Sequence, residues 1–204
     1  MININTIINF IEEKYPNLEE KYPNIGARLK WATTEYQNGL TNTEKPNVKQ
    51  KRAEAKEQEK NWGNLMNYQQ NNTQWTTKLG ENLVFDILDI LGENPRKPQK
   101  INGQLPDWET DKNIYEVKTR NWTTPGSIGD KVIGVPYKYS DIPETYGKPL
   151  KIILVAYQEY EFTHGRIKIF DEVSDLQKEQ LKLWKKQNIE FIKFSDLVTS
   201  IINS

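Results

Sequence analysis

Three charged residues within the stretch 106–120, PDWETDKNIYEVKTR, are spaced for hydrolytic chemistry. Asp107 follows a proline, and Glu116 and Lys118 are separated by one residue inside a run of strand character, NIYEVKTR. Side chains alternate across a strand, so Glu116 and Lys118 share one face while Tyr115 and Val117 take the other. Two like-facing ionisable groups on an inner strand are costly unless they serve something. The preceding QLPDWET also reads as a strand. A tight turn at Asp111, Lys112 and Asn113 would fold the two into a hairpin and bring Asp107 near the 116–118 segment. Two carboxylates, waters and a phosphate oxygen make a hard-oxygen shell suited to Mg²⁺. A lysine beside such a shell can orient or deprotonate a water and stabilise developing negative charge. The ion itself would polarise a scissile phosphate and lower the pKa of bound water. The competing reading is a surface hairpin with a cross-strand salt bridge.

These residues need elements to hold them. LGENLVFDILDILG, from position 79, places Leu79, Leu83, Val84, Ile87, Leu88 and Leu91 at helical spacing, with Gly92 as a stop. Residues 95–102 are expected as an edge or irregular strand, because Pro95 and Pro98 cannot donate to a ladder. PLKIILVAYQEY reads as a buried strand, RIKIF as a further one and IEFIKF as the last, followed by a short helix. Residues 127–139 are a poor helix candidate, with Gly129, Gly134 and Pro136. Residues 172–187 are expected as a polar helix with Val173, Leu176, Leu183 and Trp184 on one side. Upstream, 5–15 and 26–40 have the spacing of short helices, separated by two copies of EKYPN at 13–17 and 20–24. The prolines break any continuous helix there, and the copies read as a local duplication in a turn. Residues 41–63 are mixed-charge, a solvated helix or linker, and 64–75 read as loop. The result is a mixed α/β fold: a helical N-terminal extension over 1–63 and a core over 64–204.

Composition narrows the setting. The 204 residues carry 28 basic and 28 acidic side chains, which argues mildly against a generic nucleic-acid coat but not against a DNA enzyme with a local basic cleft. Positive charge gathers just after the motif, where Lys118, Arg120, Lys131 and Lys138 face Asp130 alone. With no cysteine there are no disulfides and no thiolate metal sites. One histidine, His164 in FTHGR, cannot build a histidine metal cluster and reads as a turn residue. No apolar run approaches a membrane span, and the N-terminus lacks the basic start and cleavage site of a signal peptide. A cytoplasmic location without membrane partners is the expectation.

The order PD, eight residues, EVK resembles the signature of the PD-(D/E)XK nuclease superfamily, with Asp107, Glu116 and Lys118 in its named positions. The resemblance covers roughly residues 79–157. It implies a restriction-endonuclease-like core, a central mixed β-sheet flanked by helices with this hairpin at its heart. Glu81, in LGEN, sits where an upstream helix of that superfamily often supplies another carboxylate; the plainer reading is an acid favoured in a first helical turn. Size and layout look most like a Type II restriction endonuclease of a restriction-modification system. That implies Mg²⁺ held by Asp107, Glu116 and the Val117 carbonyl, water positioned by Lys118, 5′-phosphate ends on double-stranded DNA, and a homodimer.

Around this centre lie candidate DNA contacts. TRNWTTPGSIGDKVIGVPYKY follows the motif and supplies Arg120, Asn121, Trp122, Thr123, Thr124, Lys131 and Lys138, residue types that read base edges and hold phosphates. QWTTKLGE at 74–81 echoes NWTT at 121–124 and adds Gln74 and Lys78. Each has a plainer reading as an ordinary polar loop, and Trp75 as a packing staple. The basic stretch from Lys49 to Arg52 reads as a solvated face, and Trp184 as core. Two other functions compete: a repair or nicking nuclease of the same superfamily, and a non-catalytic DNA-binding protein on a nuclease scaffold.

Overall fold

The computed structural model describes residues 3–33, 48–66, 75–120, 128–165 and 167–203. The prolines divide the N-terminal region as expected. Helix α1 (Ile4–Lys14) is capped by Asn3, whose side chain accepts from the Asn5 N–H, and it ends just before the first Tyr-Pro-Asn. Helix α2 (Leu18–Lys21) is one turn, and α3 (Ile25–Ala32) begins after the second Tyr-Pro-Asn. Helix α4 (Val48–Leu65) is polar along its length and is anchored by Trp62, which stacks on buried Trp31 at 5.6 Å. Helix α5 (Trp75–Ile90) carries the strongest apolar pattern, with Leu79, Leu83, Val84, Ile87 and Leu88 all buried.

The duplicated tyrosines grip the end of α5. The Tyr15 hydroxyl donates to the Ile90 carbonyl at 3.0 Å, satisfying one of the carbonyls a helix end leaves open. The Tyr22 hydroxyl donates to Asp89 Oδ2 at 2.7 Å, and Lys21 pairs with the same carboxylate at 3.0 Å. One turn earlier, Arg28 pairs with Asp86 at 2.6 Å in a nearly buried ion pair.

The chain then builds a four-stranded mixed sheet flanked by helices. Strand β1 (Trp108–Glu109) pairs antiparallel with β2 (Ile114–Arg120) in the register Trp108 opposite Tyr115. The hairpin closes where the Thr110 N–H donates to the Asn113 carbonyl, at the predicted turn. Helices α6 (Ile128–Ile133), α7 (Val135–Lys138) and α8 (Ile142–Tyr146) lead to β3 (Leu150–Ala156), which runs parallel to β2. Helices α9 (Tyr157–His164) and α10 (Asp175–Lys186) precede β4 (Ile189–Lys193), parallel to β3; α11 (Phe194–Thr199) and a 3₁₀ turn (Ser200–Asn203) follow. The strand order is β1-β2-β3-β4.

Alternation separates two cores. Tyr115, Val117, Ile153 and Val155 pack with the apolar faces of α1, α3, α5 and α11. Ile114, Ile152, Leu154 and Phe191 pack with Val132, Val135, Tyr139, Ile142 and Phe162 on the other face. A parallel sheet covered on both faces reads as the continuous apolar run seen in LKIILVA.

Several expectations need correction. Residues 95–102 form no strand, only isolated bridges from Arg96 to Glu109 and from Ile101 to Gln104, because the prolines interrupt the ladder. RIKIF gives no strand over the described residues 167–170; Ile169 makes one main-chain bond to Phe162 and buries its side chain. The strand expected through residue 160 ends at Ala156, where a positive φ of 58° turns the chain into α9. Periodicity hid that helix because its buried residues include Gln158, Glu159 and Thr163. The 127–139 stretch, expected to be a poor helix, contains α6 and α7 with the break at Gly134. Pro136 sits at the start of α7, where a missing N–H costs nothing. Helix α10 lacks the expected packed stripe: Leu176 is 80% and Leu183 49% exposed, and the helix packs instead through Trp184, edge-on to Phe191, and Leu181. No helix among the described residues is long and apolar enough to cross a membrane.

Candidate active site

The site forms where β1 runs out. Strand β1 covers β2 only as far as Tyr115, so the next free N–H on that edge of β2 belongs to Val117. Asp107 Oδ2 accepts it at 2.7 Å, and the Asp107 N–H donates to the Tyr115 carbonyl at 3.1 Å. The aspartate therefore replaces a strand residue with its own side chain. The N–H and C=O of one strand residue leave the same edge, so the Val117 carbonyl opens on the Asp107 side.

Glu116 and Lys118 share the opposite face from Val117, as their spacing predicts. Lys118 Nζ donates to Glu116 Oε1. Glu116 is only 4% exposed, and its Oε2 is enclosed without a hydrogen-bond partner among the described residues. Burial pushes the Glu116 carboxyl up to about 7; Lys118 pulls it back and Asp107 adds to the rise. Burial also raises Asp107, opposed by the bond from Val117 and by Lys118, Lys97 and Lys138. Burial alone would weaken the Lys118 ammonium, but the Glu116 carboxylate beside it outweighs that and raises its pKa. Lys118 is thus a proton-bearing cation at neutral pH, a donor rather than a base.

Glu81 arrives from the other side of the sheet. Helix α5 starts at Trp75, four residues earlier than the apolar pattern indicated, so Glu81 is well inside the helix and not a first-turn acid. Its neighbour Gly80 lies directly on Thr119 of β2. Burial raises the Glu81 carboxyl, and Asp107 is the next cause, with Lys97, Lys118 and Lys78 opposing. Glu81 thus feels the charges of Asp107 and Lys118 from the helix packed on β2. The Trp108 indole fixes this end of α5: its Nε1–H donates to the Glu81 carbonyl at 2.8 Å, and its ring packs on Phe85 at 4.7 Å.

Of the candidate DNA contacts, Lys78 is exposed on α5 and acts on Glu81, Lys131 is exposed on α6, and Lys138 acts on both Asp107 and Glu116. Arg120 ends β2, with its side chain outside the described residues. Gln74, Asn121, Trp122, Thr123 and Thr124 also lie outside them, as do the side chains of Trp75 and of Lys49 to Arg52. His164, expected in a turn, is the last residue of α9, with its ring 5.1 Å from that of Tyr160.

Lys97, Trp108 and Tyr139 were not singled out from the sequence. Lys97 Nζ donates to the Asp107 carbonyl at 2.9 Å and lies 3.7 Å from the Trp108 ring centre. Buried Tyr139 accepts from Lys138 at 2.9 Å and acts on Lys118. Trp108 had one readable signal, its place beside Asp107 on the hairpin face that must meet the strongest helix. Lys97 had none.

The donor set suits a hard divalent ion. Among the described residues no three aspartate, glutamate or histidine side chains enclose an ion by themselves. Asp107, Glu116 and the Val117 carbonyl would need water and substrate oxygens to complete a shell, the usual way Mg²⁺ is held. The unpartnered Glu116 Oε2 is the atom that fits this use.

No family model matches the chain, and neither a curated protein nor a solved structure matches it.

Proposed function

We propose that the chain is a Mg²⁺-dependent endodeoxyribonuclease that hydrolyses double-stranded DNA, of the PD-(D/E)XK type and most like a Type II restriction endonuclease. The observation that carries this reading is the buried Glu116 carboxylate, one oxygen on Lys118 and the other without a partner, beside the Asp107 carboxylate clamped to Val117. A buried carboxylate oxygen without a partner costs on the order of 1–3 kcal/mol, and a bound cation would offset that cost. The arrangement of α5, the β1–β2 hairpin and the parallel β3 adds support, as does the approach of Glu81 to the same edge.

Asp107, Glu116 and the Val117 carbonyl would hold Mg²⁺, with Glu81 as an auxiliary acid. When bound there, the ion supplies Lewis-acid polarisation of the phosphodiester and a bound water of lowered pKa. Lys118 donates to the attacking water and to the negative charge that grows on the phosphoryl oxygens. Asp107 keeps its orientation through the Val117 N–H. Cleavage leaves a 5′-phosphate and a 3′-hydroxyl. Cutting both strands of a palindrome calls for a homodimer, and the setting is a cytoplasmic restriction-modification system.

The test is digestion of a long DNA with Mg²⁺, with EDTA, and with Lys118→Ala. Discrete Mg²⁺-dependent fragments absent from both controls are expected. Full activity in Lys118→Ala would remove the assignment, and light scattering showing a strict monomer would remove the dimer. One observation favours a second reading. Lys118 already pairs with Glu116, which suits a non-catalytic DNA-binding protein on this scaffold. Duplex binding with no cleavage and no Mg²⁺ dependence would select it.

A further inference from the structure

Two lysines beside the carboxylates are held in the same unusual way. Lys97, in the segment between α5 and β1, donates to a neutral oxygen, the Asp107 carbonyl, at 2.9 Å and lies over the Trp108 ring at 3.7 Å. Lys138, the last residue of α7, donates to a neutral oxygen, the Tyr139 hydroxyl, at 2.9 Å and lies 4.4 Å from that ring's centre. Neither makes an ion pair among the described residues, although other lysines nearby do: Lys112 with Glu93, Lys148 with Glu109 and Lys118 with Glu116. An ammonium has three donors, so each has capacity left over. An aromatic face steadies the cation and limits the freedom lost on binding.

They also stand on opposite flanks. Lys97 is attached to the Asp107 main chain and is felt by Glu81 and Asp107. Lys138 comes from the face of the sheet that carries Glu116 and is felt by Asp107 and Glu116. Braced, unpaired cations on both sides of a carboxylate centre fit a polyanion that crosses it.

We propose that Lys97 and Lys138 form a phosphate bracket, each holding a backbone phosphate of a nucleic-acid strand laid across the Asp107–Glu116 centre. This rests on the nucleic-acid reading above and extends it to two residues on separate elements. Because the contacts are to phosphates, they give affinity and register but no base preference.

Losing one phosphate contact lowers the slope of log affinity against log salt by about 0.9 on duplex DNA. The experiment is fluorescence anisotropy of a labelled duplex oligonucleotide in Ca²⁺ across a salt series. It compares wild type, Lys97→Met, Lys138→Met and the double variant, with Lys182→Met on α10 as a distant control. Methionine keeps the stem on the aromatic ring, and Lys97→Arg and Lys138→Arg restore the charge. The expected result is a slope reduced by about 0.9 in each single variant and about 1.8 in the double. Arginine should restore it and the control should not change. Unaltered slopes in both methionine variants, an equal drop in the control, or no duplex binding by wild type would overturn the bracket. Mg²⁺-dependent cleavage by the wild type, scored separately, tests the nuclease reading. Cleavage with unaltered slopes removes the bracket alone; reduced slopes without cleavage remove the nuclease alone.

Discussion

Gly80 and Thr119 touch with no room for a methyl group between them. A Cβ on Gly80 would lie 1.7 Å from Thr119 Oγ1 and 2.8 Å from Thr119 Cβ, so a rotamer change of the threonine could not clear it. Glycine inside a helix ordinarily weakens it. Here it lets α5 lie against β2 one residue before Glu81.

Gly80→Ala is therefore expected to destabilise the protein by about 1–3 kcal/mol despite alanine's better helix propensity. It should lower cleavage as well, because the displaced turn carries Glu81. Denaturant unfolding and cleavage rates on the same preparation check this. A stabilised variant would mean that the helix approaches the sheet less closely.

Trp108→Phe removes the bond from the indole to the Glu81 carbonyl while keeping an aromatic ring against Phe85. The stability cost should be about 1 kcal/mol. The cleavage rate should fall by roughly tenfold, since small misplacement of catalytic groups is costly. Single-turnover rates at saturating enzyme, read beside melting temperatures, separate the two effects.

Stability should depend on pH through Glu116. Its folded pKa, about 7, lies above the ordinary 4.5, so the folded state holds the proton more tightly than the unfolded chain. The contribution is fully present below about pH 4.5 and is lost as pH rises through about 7. A shift of that size corresponds to on the order of 3 kcal/mol. Thermal melts in EDTA should fall from pH 5 to pH 8, and Glu116→Gln should flatten that decline whatever its absolute stability. An equally steep decline in the variant would assign the titration elsewhere.

The Arg28–Asp86 pair is nearly buried, and the Arg28 Nε–H has no partner among the described residues. Burial holds the Asp86 carboxyl above its usual range even beside the guanidinium. Removing one partner strands the other charge, so Asp86→Leu alone should cost about 3 kcal/mol, and Arg28→Met with Asp86→Leu should cost less than either single change. Urea unfolding of the four proteins in the cycle measures the coupling.

How far the sequence could be read follows from which forces leave a periodic trace. Helix α5 and strands β2, β3 and β4 were legible because their apolar residues repeat at 3.6, run nearly unbroken or fall in short β-rich segments. Asp107, Glu116 and Lys118 were legible because a hairpin's spacing alone brings them together. Helix α9 was not, since it buries Gln158 and Glu159, and Glu159 is satisfied by Ser195, 36 residues on. Lys97 was hidden for a related reason. Its partners are a main-chain carbonyl and a ring face, and neither constrains residue type at a fixed spacing. The role of Gly80 was invisible because it consists of space, set by a strand 39 residues away.

The two copies of Tyr-Pro-Asn have a mechanical consequence. A rod held at one point can still swing; a second attachment removes the pivot. Tyr15 and Tyr22 fasten adjacent residues, Ile90 and Asp89, from two separate turns of the chain. Glu81 lies along the same rod, eight residues before Asp89, so removing the pivot at that end also limits how far the carboxylate can swing. A five-residue sequence repeated near the N-terminal side of the chain thereby steadies the helix that carries a distant acid.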